Sequence, residues 1–223
     1  MTEVLFMDLI EAIKQRKSIR AFSKKQVPLE LIEEIIGISL NAPSAINLQP
    51  WDFYIVYGEE KKRLSRALLK AYKEKKISCG PGTEKQLPPV YNLRGVEVAE
   101  SMQPFLDELG ISFNQFINEG SSNFYGAPVA VFICIDSCFP KMRLLDIGII
   151  LSHFLLTAYD YGMTTCPIGL LLAYENEVKE FMDIPDDKSV AIAVALGYAD
   201  GDNPINKYKS SRDSKKKFIH WVG

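Results

Sequence analysis

From Ala127 to Ile135 the chain offers no position suited to water, and the run is opened by Gly126-Ala127-Pro128 and closed by Asp136. An apolar stretch of this length, bounded by turn residues, predicts a central, buried strand. Ser189–Leu196, ending at Gly197, predicts a second buried strand, and the alternation over Asp52–Tyr57 predicts a third. Gly162–Gly169 reads as a glycine stop, a short strand and a Pro/Gly loop able to approach a flat ligand closely.

The other segments have helical spacing. Leu5, Leu9, Ile10 and Ile13 predict a helix over residues 3–15, and Leu31, Ile32, Ile35 and Ile36 predict one from Pro28 to Leu40. Residues 59–76 read as an exposed, basic helix. Val96–Leu109 and Ile111–Tyr125 read as helical pieces whose Phe113, Phe116, Phe124 and Tyr125 are either pocket walls or core. Leu144–Tyr161 is apolar almost all the way round, which predicts a buried helix, too interrupted to span a bilayer. Tyr174–Met182 is the last helix. Between Ser78 and Gly95 lie Gly80, Pro81, Gly82, Pro88, Pro89 and Gly95, predicting a long irregular loop, either a lid or an ornament.

At 223 residues, with 47% hydrophobic and 24% charged side chains, the chain has the make-up of one globular domain. A net charge of −2 supplies no global field for nucleic acid or an anionic membrane, so any anion must be held locally. The acidic, amphipathic N-terminus lacks the pattern of a secretory signal, and the expectation is a cytoplasmic protein. Cys79, Cys134, Cys138 and Cys166 form no C-x-x-C pair, and Cys134 and Cys138 are expected to be core thiols. With only His153 and His220 as imidazoles, a metal site is poorly supplied, and His153 is expected to be a satisfied core residue.

Arg16-Lys17-Ser18-Ile19-Arg20 packs two guanidiniums, an ammonium and a hydroxyl into the junction between a helix and a loop. Arg presents a planar fork matched to an oxyanion, and Lys adds a point charge. By itself such a run is equally a solvated basic turn. Asn41 to Trp51 is a polar loop held between a helix and a strand, with Ser44, Asn47 and Gln49 beside the indole of Trp51. That set suits an aromatic heterocycle with polar edges, or it is only an ordered connection. The tail from Asp200 carries Lys207, Lys209, Arg212, Lys215, Lys216 and Lys217, and alone it reads as solvated or as a weak nucleic-acid patch.

Three motifs together resemble the nitroreductase family of FMN-dependent oxidoreductases: Arg16-Lys17-Ser18-Ile19-Arg20-x-Phe22, Ala42-Pro43-Ser44-Ala45-x-Asn47-x-Gln49-Pro50-Trp51, and Gly162-Met163-Thr164-Thr165-Cys166-Pro167-Ile168. The likeness runs from about residue 8 to the end and is weakest between Leu69 and Asn123. Gly126-Ala127-Pro128, Thr165-Cys166-Pro167 and the ending Gly197…Asp200…Asn206…Arg212 are similar to the nitrobenzoate-reductase-like members in particular.

This resemblance implies an α+β fold with an antiparallel-dominated central sheet flanked by helices, a single domain with a lid or insert at about 77–124, and an intertwined homodimer with FMN at the interface. It implies that Arg16, Ser18 and Arg212 hold the phosphate, with Lys17 contributing. Arg20 would stand near the pyrimidine edge of the flavin ring as electrostatic support, and no side chain would be catalytic in its own right. Pro43, Ser44 and Asn47 of the second copy would contact the ring, while Pro167, Ile168 and Gly169 flank its other face. The pattern departs at Ile168-Gly169, where many members carry a carboxylate or amide, so only backbone is left to meet N5.

Hydride chemistry then belongs to the flavin, and the protein supplies position and electrostatics. The expected reaction is ping-pong: NAD(P)H reduces FMN and leaves, and a nitroaromatic or quinone enters the same cleft. No Gly-x-Gly-x-x-Gly follows a strand, in keeping with NAD(P)H binding on the flavin itself. The sequence leaves open a specialised reaction on the same fold, reductive dehalogenation or oxidation of an azoline or thioether, and a flavin-binding store or sensor.

Overall fold

In the computed structural model, which describes residues 8–80 and 86–223, strand β2 (Val129–Asp136) lies inside a four-stranded sheet. The other strands are β1 (Asp52–Tyr57), β3 (Thr164–Ile168) and β4 (Lys188–Gly197), and their order is β1-β2-β4-β3. Every neighbouring pair is antiparallel, with Phe53 opposite Ile133, Val131 opposite Val194, and Cys166 opposite Ala195.

The unbroken apolar run of β2 has a simple cause: both faces of the sheet are covered, so neither parity of side chain meets water. Val129 and Val131 pack with Ile32 and Ile35 of α2 (Leu29–Ser39) and Phe154 and Ala158 of α6 (Leu144–Asp160). Ile133 and Ile135 continue that face against Ile147 and Ile150. Ala130, Phe132 and Cys134 point the other way. They meet Leu64 and Leu68 of α3 (Gly58–Lys75), Met102 and Leu106 of α4 (Pro89–Asp107), Phe116 of α5 (Phe113–Ser122) and Val178 of α7 (Glu175–Met182). Each large side chain removed from water here contributes about 1.5–3 kcal/mol.

Three expectations are corrected. The irregular stretch ends earlier than Gly95, because Pro88 and Pro89 start a helix instead of breaking one. Pro88 is extended ahead of α4 and Pro89 occupies its first turn, where a missing N–H costs nothing. Pro81 and Gly82 of that stretch lie outside the described residues. Second, α6 is not buried all round: Ile147, Ile150, Phe154 and Ala158 face inward, while Leu144 and Leu145 are 47% and 70% exposed. The stretch Lys141–Asp160 is long and apolar enough, by length and composition, to cross a bilayer, yet its inner face packs on the sheet and on α2. Third, Cys138 is exposed, whereas Cys134 is buried as expected, its thiol pushed up to about 12 by burial.

The first helix described is α1 (Leu9–Gln15), which starts where the Asp8 carboxylate accepts from the N–H groups of Ile10 and Glu11 at 2.9 and 3.2 Å; residues 3–7 of the expected helix, Leu5 included, lie outside the described residues. Helix α1 packs on α6.

Candidate functional site

The chain leaves α1 extended at Arg16 (φ −54°, ψ 131°), which ends the helix at the first guanidinium. Ser18 then forms a parallel bridge to Thr165 of β3, and the N–H of Ile19 donates to the Thr165 carbonyl at 3.0 Å. Ile19 and Phe22 are driven into the core. With the apolar members of the segment turned inward, Arg16, Lys17, Ser18 and Arg20 are left to line a cavity of about 630 Å³.

The opposite wall comes from the far end of the sequence. Asn203 caps a short turn, Pro204–Lys207, by accepting from the Ile205 N–H at 3.2 Å, and Ile205 and Tyr208 are buried. Tyr208 stands edge-on to Phe105 of α4, with ring centroids 6.3 Å apart. That anchorage brings Lys209 and Arg212 onto the cavity, with Val98 of α4 beside them. The tail up to Arg212 is therefore not the solvated appendage its composition alone suggests, and α4 furnishes part of the wall of this space.

The field in the cavity is positive. Among the described residues that line it, none is acidic. Arg16 is held below its usual basicity, first by burial and then by the charge of Arg212. Lys17 is lowered by burial and by Lys209. Lys17 Nζ is parked on the carbonyl of Asn206, Lys209 Nζ on that of Lys14 at 2.9 Å, and Arg212 donates to Ser210 and Ser211. Arg20 Nε is buried without a hydrogen-bond partner. Clustered cations resting on carbonyls and repelling one another are arranged for an oxyanion, whose arrival relieves the repulsion.

Arg20 acts on two buried groups, Tyr125, one of the aromatics expected as pocket wall or core, and Cys166 of the third motif. The Tyr125 hydroxyl is 3.2 Å from Ser121 Oγ and is pushed up to about 12 by burial, with Arg20 and Ser121 pulling it back. The Cys166 thiol is raised by burial and opposed by Arg20, by the Ser18 hydroxyl and by Arg16. Both groups stay neutral at ordinary pH. Tyr125 reaches this position from a turn in which Phe124, Tyr125 and Gly126 all have positive φ (59°, 53° and 81°). Only the last is a glycine, and such a conformation costs an ordinary residue about 1–2 kcal/mol.

The remaining expected site residues are not on this cavity. Pro167 and Ile168 close β3 and Gly169 follows it, a short distance along the strand that Ser18 joins. A Cβ built on Gly169 would meet nothing within 4 Å, so its backbone faces open space. Pro43, Ser44 and Asn47 lie between α2 and β1, in a loop where Ile46, Asn47 and Gln49 have positive φ and Ser44 Oγ accepts from the Gln49 N–H at 2.9 Å. Within one chain they are not brought to the cationic cavity. Among the described residues no group of three His, Cys, Asp or Glu side chains is placed to hold a metal ion.

An antiparallel sheet covered on both faces, with a basic loop bridged to its edge strand, defines the class. Residues 13–198 match the sequence profile of the Nitroreductase family, and the chain belongs to that family. The 4-nitrobenzoate reductase of Pseudomonas putida is 29% identical over 218 residues, covering 97% of this chain and 96% of that relative. Iodotyrosine deiodinase of Thermotoga neapolitana is 25% identical over 198 residues, 88% of this chain and 91% of its own. Among solved structures, the FMN- and NADPH-dependent nitroreductase NfnB from Sphigopyxis sp. strain HMH superposes with a TM-score of 0.89 at 25% identity, covering 97% of this chain and all of that one. The FMN-dependent nitroreductase NfnB from Mycobacterium smegmatis, in complex with NADPH, gives 0.86 at 26% identity with the same coverage.

Proposed function

We propose that this protein is an FMN-dependent, NAD(P)H-consuming nitroreductase, and that the cationic cavity is where the FMN phosphate is held. The observation that carries the reading is the meeting of Arg16 and Arg212, from opposite ends of the chain, across a space that no acidic side chain lines among the described residues. The volume of about 630 Å³ lies in the range of cofactor pockets. The FMN and NADPH named for the solved relatives support the same choice.

On this reading Arg16, Ser18 and Arg212 bind the phosphate, and Lys17 closes one side of it. Arg20 directs a fixed charge at the flavin ring, and its unpartnered Nε is the donor left for that purpose. The bare backbone at Gly169 lets the ring approach β3 closely. A bound FMN supplies two-electron transfer at N5. The protein's part is to bind, orient and keep water away from the ring, which agrees with a site whose thiol and phenol stay neutral.

A homodimer completes the picture. Leu9, Ile10 and Ile13 of α1 and Leu144 and Leu145 of α6 are exposed apolar side chains on elements that touch. A second copy placed over them would also supply Pro43, Ser44 and Asn47 to the ring. All four cysteines are free thiols, which suits the reducing cytosol.

The acceptor we favour is a nitroaromatic, in line with the nitrobenzoate reductase among the relatives. A second reading, reductive removal of a ring halogen, is favoured by the deiodinase relative. Initial rates decide between one cleft used in turn and separate sites. Parallel double-reciprocal lines for NADPH or NADH against 4-nitrobenzoate are expected. Intersecting lines would contradict the shared cleft, and turnover of iodotyrosine without turnover of nitrobenzoate would favour the second reading.

A further inference from the structure

The side-chain amide of Asn206 has every hydrogen-bonding capacity in use. Its Oδ1 accepts from the N–H groups of Arg20 and Ala21 at 3.1 and 3.2 Å, and its Nδ2 donates to the carbonyls of Ala21 and Asp200 at 2.7 and 2.9 Å. Its own carbonyl accepts from Lys17 Nζ. One tail residue thus grips the basic loop at both ends. The grip itself is rigidly based, because Ile205 beside it and Tyr208 two residues on are buried.

The grip matters for Arg20 in particular. Its Nε has no hydrogen-bond partner among the described residues and its side chain meets the Tyr125 hydroxyl, so where the guanidinium stands is set by that contact together with the backbone from which it springs. That backbone is fixed by Asn206 from one side and by the bridge of Ser18 to Thr165 from the other. Only a primary amide of this length serves. A carboxylate would face two carbonyls that need donors, and an apolar isostere would leave two N–H groups without acceptors.

We propose that Asn206 is a positioning residue of the cofactor site, joining Lys17 at the phosphate end and Arg20 at the ring end into one hydrogen-bonded unit. The inference rests on the FMN reading above and goes further: flavin affinity and flavin potential are coupled through a residue that lines neither end. The Asn206 side chain acts on the potential through the Arg20 backbone, and on affinity by holding in place the turn whose carbonyl at 206 accepts from Lys17.

The test uses the full-length protein loaded with FMN. Wild type, Asn206→Ala, Arg20→Ala and the double variant are compared for FMN dissociation constant by flavin fluorescence and for flavin midpoint potential at saturating FMN. Asn206→Ala keeps the main-chain carbonyl that accepts from Lys17 but removes the four side-chain hydrogen bonds that hold the loop and the tail turn together. It is therefore expected to weaken FMN binding several-fold by loosening that turn and to make the potential more negative. In the Arg20→Ala background it is expected to weaken binding still, with no further change in potential. Asn206→Gln keeps both amide groups one methylene out of place. It carries the same prediction in smaller measure if the alanine variant does not fold. An unchanged potential in the Asn206 variants, or shifts of Asn206→Ala and Arg20→Ala that simply add, would overturn the proposal. Wild-type protein that takes up no FMN would overturn the functional reading itself, and this inference with it.

Discussion

Arg212 lies close enough to Arg16 to depress its basicity, although the two stand at opposite ends of the chain. Two cations are not brought together without a compensating anion unless other contacts hold them. Here those contacts are the bridge of Ser18 to Thr165 and the buried Ile205 and Tyr208. The first prediction follows. Among the described residues Arg212 donates only to its neighbours Ser210 and Ser211, so Arg212→Ala is expected to leave the fold intact and the FMN-free protein no less stable. Its FMN affinity is expected to fall by about 1.5–3 kcal/mol, the worth of a charged hydrogen bond. Urea unfolding and fluorescence titration separate the two effects. A variant that binds FMN normally would remove Arg212 from the phosphate site.

Arg20 carries the electrostatic part of the account. Arg20→Ala is expected to retain FMN partly, since Arg16, Ser18 and Arg212 remain, but to slow reduction of the bound flavin by NAD(P)H. A donor aimed at developing charge in a water-poor site contributes a few kcal/mol. Stopped-flow reduction under anaerobic conditions reads the effect, and unchanged kinetics would contradict the role.

Fold and site were legible to different depths. The bounds of β1 were readable because alternation between a polar loop and a turn leaves a strand no freedom. β2 was readable because a run without polar positions needs cover on both sides. The start of α4 was misread because Pro88-Pro89 punctuates a loop and opens a helix with the same residues. The open face of α6 was misread because apolar composition does not say whether the cover comes from the same chain. The cationic cluster was visible in residues 16–20, but its partnership with Arg212 came from family likeness and not from any local pattern. Asn206 escaped notice as a structural residue, since hydrogen bonds to a backbone 186 residues away leave no periodic trace.

Lys61 gives a prediction on pH. It is buried on α3, donates to the Asn123 carbonyl at 2.8 Å, and is lowered to about 8 from an ordinary 10.5, first by burial and then by Lys62. Between those two values the unfolded chain binds the proton more readily than the folded one, so stability from this group rises with pH across that window. Below about 8 both states are protonated and the burial penalty is fully present. Lys61→Met is expected to flatten the rise. Unfolding free energies of wild type and variant at several pH values from 7 to 10.5 supply the check, and parallel profiles would contradict the assignment.

Gly197 ends β4 where the chain turns toward the tail, and a Cβ there would stand 2.6 Å from Pro128 Cδ and 3.1 Å from Phe22 Cδ1. The proline ring is tied to its own backbone and has little room to yield. Gly197→Ala is expected to cost about 1–3 kcal/mol, as overpacking in a core does. Chemical denaturation measures it directly, and a neutral result would mean that the segment before β2 shifts freely.

The central claim is that the cavity between the basic loop and the tail holds the FMN phosphate and that NAD(P)H and a nitroaromatic meet the bound flavin in turn. The most direct measurement is the absorption spectrum of the FMN-loaded protein through one anaerobic cycle, first with NADPH or NADH and then with 4-nitrobenzoate. The account predicts flavin bands that bleach with the nicotinamide and return with the acceptor, and that are absent when Arg16 and Arg212 are both replaced by alanine. A wild-type protein that takes up no flavin, or whose bound flavin neither nicotinamide bleaches, would contradict it.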